Sequence, residues 1–109
     1  MQSESLARII CPEEACREFI EKNLNDPSSS QFEKNNDASA NINGTYLAQV
    51  SYRAKNAFGA TIKDDAICTM RRIGDMYIND GIVSRLSNQS AFIAIQNKII
   101  DQKIKYRLK

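Results

Sequence analysis

Few side chains in this 109-residue chain could do chemistry. There is no histidine, the commonest general base and metal ligand near neutral pH. A serine or cysteine nucleophile activated by histidine is therefore excluded within the chain. Cys11, Cys16 and Cys68 stand at scattered spacing and do not supply the four ligands of a zinc site. Acidic pairs occur at Glu13-Glu14 and Asp64-Asp65. The first pair opens a helix, where carboxylates favour the positive pole. The second falls in a strand, whose adjacent residues point to opposite faces, so its carboxylates do not converge on one substrate. No phosphate loop and no dinucleotide fingerprint is present. No catalytic residue, metal site or cofactor is assigned, and the chain is expected not to be an enzyme.

The remaining candidates concern bridging and binding. An odd cysteine count in a short chain is not a disulfide framework; one bridge with a free thiol and three reduced thiols both fit. Cys16 and Cys68 fall on inward faces, as core thiols or as a bridge, with Cys11 the alternative partner of Cys68. Arg53, Lys55, Asn56 and Phe58 cluster in one segment and are candidates for partner contact. With Tyr46 and Tyr52 they could also stack bases and bind phosphates, although both tyrosines fall on the expected core face. Charge is uneven. Residues 1–50 carry four basic and eight acidic side chains, a net of −4, and residues 51–109 carry eleven and five, a net of +6. Lys98, Lys103, Lys105 and Arg107 make the C-terminal end basic, either as a solvated helix end or as a second partner-contact surface. A nucleic-acid surface would need Arg71, Arg72, Lys98, Lys103, Lys105 and Arg107 to form one contiguous face.

The elements that position these residues follow from periodicity. Pro12 suits a first helical turn, and Cys16, Phe19, Ile20 and Leu24 recur at helical spacing, predicting a helix over 12–25. Leu6, Ile9 and Ile10 fit a preceding turn. Asp26-Pro27 and the following serines stop the helix, and Phe32 returns the chain to the core. Residues 34–44 read as loop, ending in the Asn43-Gly44 turn. Tyr46, Ala48, Val50, Tyr52 and Ala54 then alternate with polar residues, predicting a half-buried strand in which Leu47 is the exception. Asn56 to Gly59 reverse it. The return strand, about 60–70, carries Ile62, Ala66, Cys68 and Met70 on one face, and Asp64 on that face suggests a bulge near Asp64-Asp65. Met76 to Ile78 form a third strand and Asn79-Asp80-Gly81 a turn. Ile82-Val83 start a fourth strand or a helix. Asn88 or Ser90 caps a final helix with Phe92, Ile95, Ile99 and Ile104 on one stripe, widened by Ile93 and Ile100.

Two segments carry a resemblance. Asp26-Pro27-Ser28-Ser29-Ser30-Gln31-Phe32 follows a helix; Tyr52-Arg53-Ala54-Lys55-Asn56-Ala57-Phe58-Gly59-Ala60 and then Cys68 come some twenty residues later. The pair resembles a group of small bacterial and phage proteins, many of which look exported or like lipoproteins. The match covers about residues 13–70 and leaves out the Ile-rich, Lys-rich C-terminal helix. No catalytic residues are carried over. Structural roles are available for the whole motif: Asp26 and the serines bond free backbone groups, Asn56 bonds across the turn, Gly59 takes a conformation closed to other residues, and Phe58 folds back over the sheet.

The expected fold is one α+β domain over residues 1–109. It has an N-terminal helix, a three- to four-stranded antiparallel meander and a C-terminal helix, in a cystatin-like or similar helix-on-sheet arrangement. The expected function is a non-enzymatic protein-binding module of bacterial or phage origin, such as an inhibitor, immunity or envelope-associated protein. Nucleic-acid binding through the basic C-terminal half is the alternative, and a homo-oligomer is open. No run of about 18 apolar residues predicts a membrane span. Met1-Gln2-Ser3-Glu4 opens without a basic n-region and no apolar h-region follows, so no signal peptide is expected in this chain. The location is the periplasm or envelope where a signal has been removed, and the cytoplasm otherwise.

Overall fold

The structure, a computed structural model, describes the backbone of residues 11–107 and the side chains of residues 11–102. The turn expected around Leu6, Ile9 and Ile10 lies outside these, as do the side chains of Lys103, Lys105 and Arg107. Helix α1 spans Pro12–Lys22, with Pro12 in its first turn and Glu13 and Glu14 at its positive pole. It stops three residues before the expected end. The Asn23 side-chain amide donates to the Phe19 carbonyl at 2.9 Å, the acceptor its own backbone N–H would use in a continuing helix. That N–H bonds Ile20 O instead, at 2.9 Å, and the last turn tightens.

A five-stranded antiparallel sheet follows, built from β1 (Gln31–Phe32), β2 (Ala38–Ile42), β3 (Thr45–Lys55), β4 (Thr61–Ile73) and β5 (Met76–Ser84). β1 and β2 both pair with the same side of β3, separated by a 3-10 turn at Lys34–Asn36. Residues 38–42, expected as loop, are therefore strand. Asn43 and Gly44 join β2 to β3 with φ of 53° and 88°, the two positive values that a tight type I′ hairpin requires.

β3 and β4 pair without interruption from Thr45↔Arg71 to Lys55↔Thr61. The bulge expected at Asp64-Asp65 is absent from this ladder, where they face Tyr52 and Ser51 in register. The irregularity falls between β4 and β5. Thr69 faces Gly81 and Met70 faces Asn79, leaving Asp80 as the extra residue. Asn79-Asp80-Gly81 is thus a bulge inside one continuous strand, not a turn; its Asn79 Oδ1 accepts from the Gly81 N–H at 3.1 Å. The chain reverses earlier, at Gly74-Asp75.

Helix α2 (Gln89–Arg107) closes the fold, and the two helices take opposite faces of the sheet. Ala15, Cys16 and Ile20 of α1 pack on Ala48, Val50, Ala66, Cys68 and Met70, the even-numbered face. Phe92 and Ile99 of α2 pack on Ala40 of β2 and on Leu47 and Ile67, on the odd-numbered face of β3 and β4. Leu47, an exception in a one-sided strand, is a core residue of the second layer. Ile93 and Ile100 do not widen the buried stripe of α2; they face solvent. Of the two expected caps, Asn88 serves: its Oδ1 accepts from the Ala91 N–H at 3.1 Å.

Candidate functional site

The two segments of the resemblance meet in space. After α1 the chain makes a 3-10 turn at Pro27–Ser29, where Ser28 Oγ donates to Asp26 Oδ1 at 2.7 Å and Ser29 Oγ to Asp26 O at 2.7 Å. Ser29 Oγ also accepts from the Lys55 N–H at 2.9 Å, which ties the corner to the end of β3. Phe32 stacks on Tyr52 with ring centroids 5.6 Å apart. The β3–β4 loop is fixed from within. Asn56 Oδ1 accepts from the Phe58 and Ala60 N–H groups at 2.9 and 3.0 Å, and Gly59 sits at φ 83°. The Asn56 oxygen is thereby engaged inside the loop.

Phe58 departs from expectation. It does not fold over the sheet but stands 92% exposed at the tip of this braced loop. Strand alternation places Arg53, Lys55 and Lys63 on the odd-numbered face of the hairpin that carries it. Glu33 engages two of these cations, Arg53 at 3.2 Å and Lys63 at 3.5 Å. Lys55 makes no ion pair among the described residues.

On the other face, between the end of α1 and the hairpin, lies a groove of about 170 Å³. Tyr52, Ala54, Ile62 and Asp64 form its floor, Leu24 its apolar wall, and Asn23, Asn25, Lys55 and Asn56 its rim. Asp64 is 8% exposed. Its carboxylate accepts from the Leu86 N–H at 3.2 Å, the Asp65 N–H at 2.8 Å, the Tyr52 hydroxyl at 3.4 Å and the Ser84 hydroxyl. Every donor is neutral. Burial, and then the Asp64 charge beside it, pushes the Tyr52 phenol up to about 12. Asp65 points the other way, accepting from Ser51 Oγ at 2.6 Å and Arg85 Nε at 2.9 Å. The two acids therefore grip the Ser84–Leu86 segment from opposite faces and share no site.

The remaining candidates lie elsewhere. Cys16 and Cys68 are joined in a disulfide between α1 and β4, and Cys11 is an exposed free thiol. Lys98 lines a separate cleft of about 260 Å³ with Ile42, Thr45, Leu47, Thr69 and Ile95, at the far end of β3 from Lys55. Arg71 and Arg72 do not lie on one basic face. Arg71 pairs with Asp80 at 3.0 Å, while Arg72 turns to the opposite side, over the Tyr77 ring at 5.9 Å. Arg17 pairs with Asp37, whose other oxygen is buried with no partner among the described residues; burial raises the Asp37 carboxyl despite that cation. Among the described residues no group of three or more acidic or cysteine side chains is placed to hold a metal, and no helix is long and apolar enough to cross a membrane.

The sequence pattern brought together Arg53, Lys55, Asn56 and Phe58 but missed the groove. Its floor depends on the Tyr52↔Asp64 and Ala54↔Ile62 pairings, for which alternation on both strands was the available signal. No protein family, curated protein or solved structure matches the chain.

Proposed function

We propose that this chain is a non-enzymatic protein-binding module whose contact is centred on the β3–β4 hairpin tip. The observation that carries this reading is Phe58. A phenylalanine held almost wholly in water has no packing role, and the loop that holds it is braced by Asn56 and Gly59. A pre-ordered aromatic loses little conformational freedom on burial in a partner, which suits a binding anchor. The resemblance to small bacterial and phage proteins favours an inhibitor, immunity or envelope-associated role within this class. The buried Cys16–Cys68 bridge favours the periplasm or envelope, where disulfides persist. Affinity capture from the native host with mass spectrometry tests the reading, comparing wild type with Phe58→Ala. A protein retained by wild type and reduced about tenfold or more by the variant is expected, with thermal stability unchanged. Equal capture by both overturns the reading.

A second reading rests on Arg53, Lys55 and Lys63 on one face of the hairpin that carries the same aromatic, a composition that suits stacking and phosphate contact on single-stranded nucleic acid. Glu33 offsets part of that charge, which ranks it second. Absence of a gel-shift complex at low salt rejects it; a complex that weakens steeply with salt supports it.

A further inference from the structure

We infer that the groove beneath the hairpin takes the cationic side chain of a partner, a lysine or arginine whose aliphatic stem lies on Leu24, Ala54 and Ile62 and whose charge meets Asp64. This deepens, and rests on, the protein-binding reading. Size, surface and charge each point the same way. A groove of about 170 Å³ is below the roughly 300 Å³ at which drug-sized ligands are accommodated, and it suits one side chain. Its surface changes along its length, from apolar at Leu24, Ala54 and Ile62 to polar at Tyr52 and Asp64. An alkyl stem ending in an ammonium or guanidinium has the same order of parts.

Charge supplies the selection. Asp64 is almost fully buried, yet no cation pairs with it among the described residues. Arg85, whose chain neighbours Ser84 and Leu86 both bond Asp64, itself pairs with Asp65 on the opposite face. Lys55 stands at the rim, but alternation directs its side chain away from the Tyr52 and Asp64 face. Among the described residues the carboxylate is held by hydrogen bonds alone, and one of these, from Tyr52, is long at 3.4 Å. An entering cation can displace or strengthen that bond without breaking the other three. Helix α1 ends at the groove wall, so the negative pole of its dipole also favours a cation there, against Lys22 in its last turn.

The probe is agmatine, an alkylguanidinium without a carboxylate, titrated to about 50 mM into the full chain and followed by amide NMR shifts, with 1-pentanol as a neutral comparison. Saturable shifts at Leu24, Ala54, Ile62 and Asp64 with agmatine, and at least about fivefold weaker binding of pentanol, are expected. Asp64→Asn should weaken agmatine by a similar factor. Because Asp64 also holds the Ser84–Leu86 segment, Ile62→Ala at the half-open end serves as a second variant, expected to weaken both probes about threefold. No saturable shift, shifts confined to Glu14, Glu18 and Glu21 along the other side of α1, equal binding of both probes, or binding indifferent to both substitutions overturns the inference. If agmatine fails while partner capture still depends on Phe58, this inference falls alone. If agmatine binds while capture ignores Phe58, the hairpin reading falls instead.

Discussion

The two faces of the sheet are covered by helices of unequal length, held by unequal means. Helix α1 has eleven residues and buries only Ala15, Cys16 and Ile20, two of them small. It is fixed by a covalent bond to β4 and by the Arg17–Asp37 ion pair. Helix α2 has nineteen residues and no covalent tie. Phe92 and Ile99 anchor it, Arg85 stacks over Phe92 at 4.5 Å, and two amides dock it laterally. Gln96 donates to Gln49 at 3.3 Å. Gln102 accepts from the Asn41 N–H at 2.9 Å and donates to its carbonyl at 2.6 Å, acting as a neighbouring strand would on the exposed edge of β2. A short helix with a small buried face is marginal alone. The disulfide sits on the side that needs it, which is also the side that forms the groove.

The largest test of this contrast is removal of the bridge. Cys16→Ala with Cys68→Ala should cost about 4 kcal/mol from the entropy of a loop spanning 52 residues. Hydrogen exchange should then show α1 losing protection while α2 keeps it; equal loss in both would break the contrast. Phe92→Ala should cost about 3 kcal/mol with the reverse pattern, read by denaturant unfolding of the same samples. Alkaline pH sharpens the comparison further. The Tyr52 phenol lies higher in the folded state, near 12, than its ordinary 10. Its contribution is therefore complete below pH 10 and is lost as pH rises towards 12. Stability should fall by about 1–2 kcal/mol across that window, allowing for partial exposure, and Tyr52→Phe should flatten the curve. The smallest effect is on the other face. Gln102→Ala should cost about 0.5–1 kcal/mol and raise exchange at the Asn41 amide, leaving α1 unaffected.

The same contrast explains what the sequence could disclose. The α1 face was legible because its strand residues alternate cleanly from Tyr46 to Ala54 and its helix shows one apolar stripe. The second layer was hidden because Leu47 and Ile67 are the one large buried residue that each strand contributes to it, set among polar neighbours on that side. Residues 38–41 carry small and polar side chains with little strand preference, and Ile42 alone favours a strand. They become strand because the Asn43-Gly44 turn delivers them to the edge of β3. Asn79-Asp80-Gly81 has turn composition, and a bulge draws on the same residues as a turn. At the candidate site, Asn56 and Gly59 announced the loop, whereas the exposure of Phe58 depends on how far the hairpin reaches beyond both cores. Asp64 was visible as an acid on an inward face. That a rotated backbone was unnecessary follows from donors on β3, β5 and the segment after it, all distant in sequence.

The Cys16–Cys68 bridge also encloses the exposed tip within the segment it closes. A protease that cuts beside Phe58 would leave two pieces joined by sulfur and by an eleven-pair ladder. Such a nicked molecule would migrate as one band until reduced. The loop offered to a partner can therefore be severed without releasing either half of the domain.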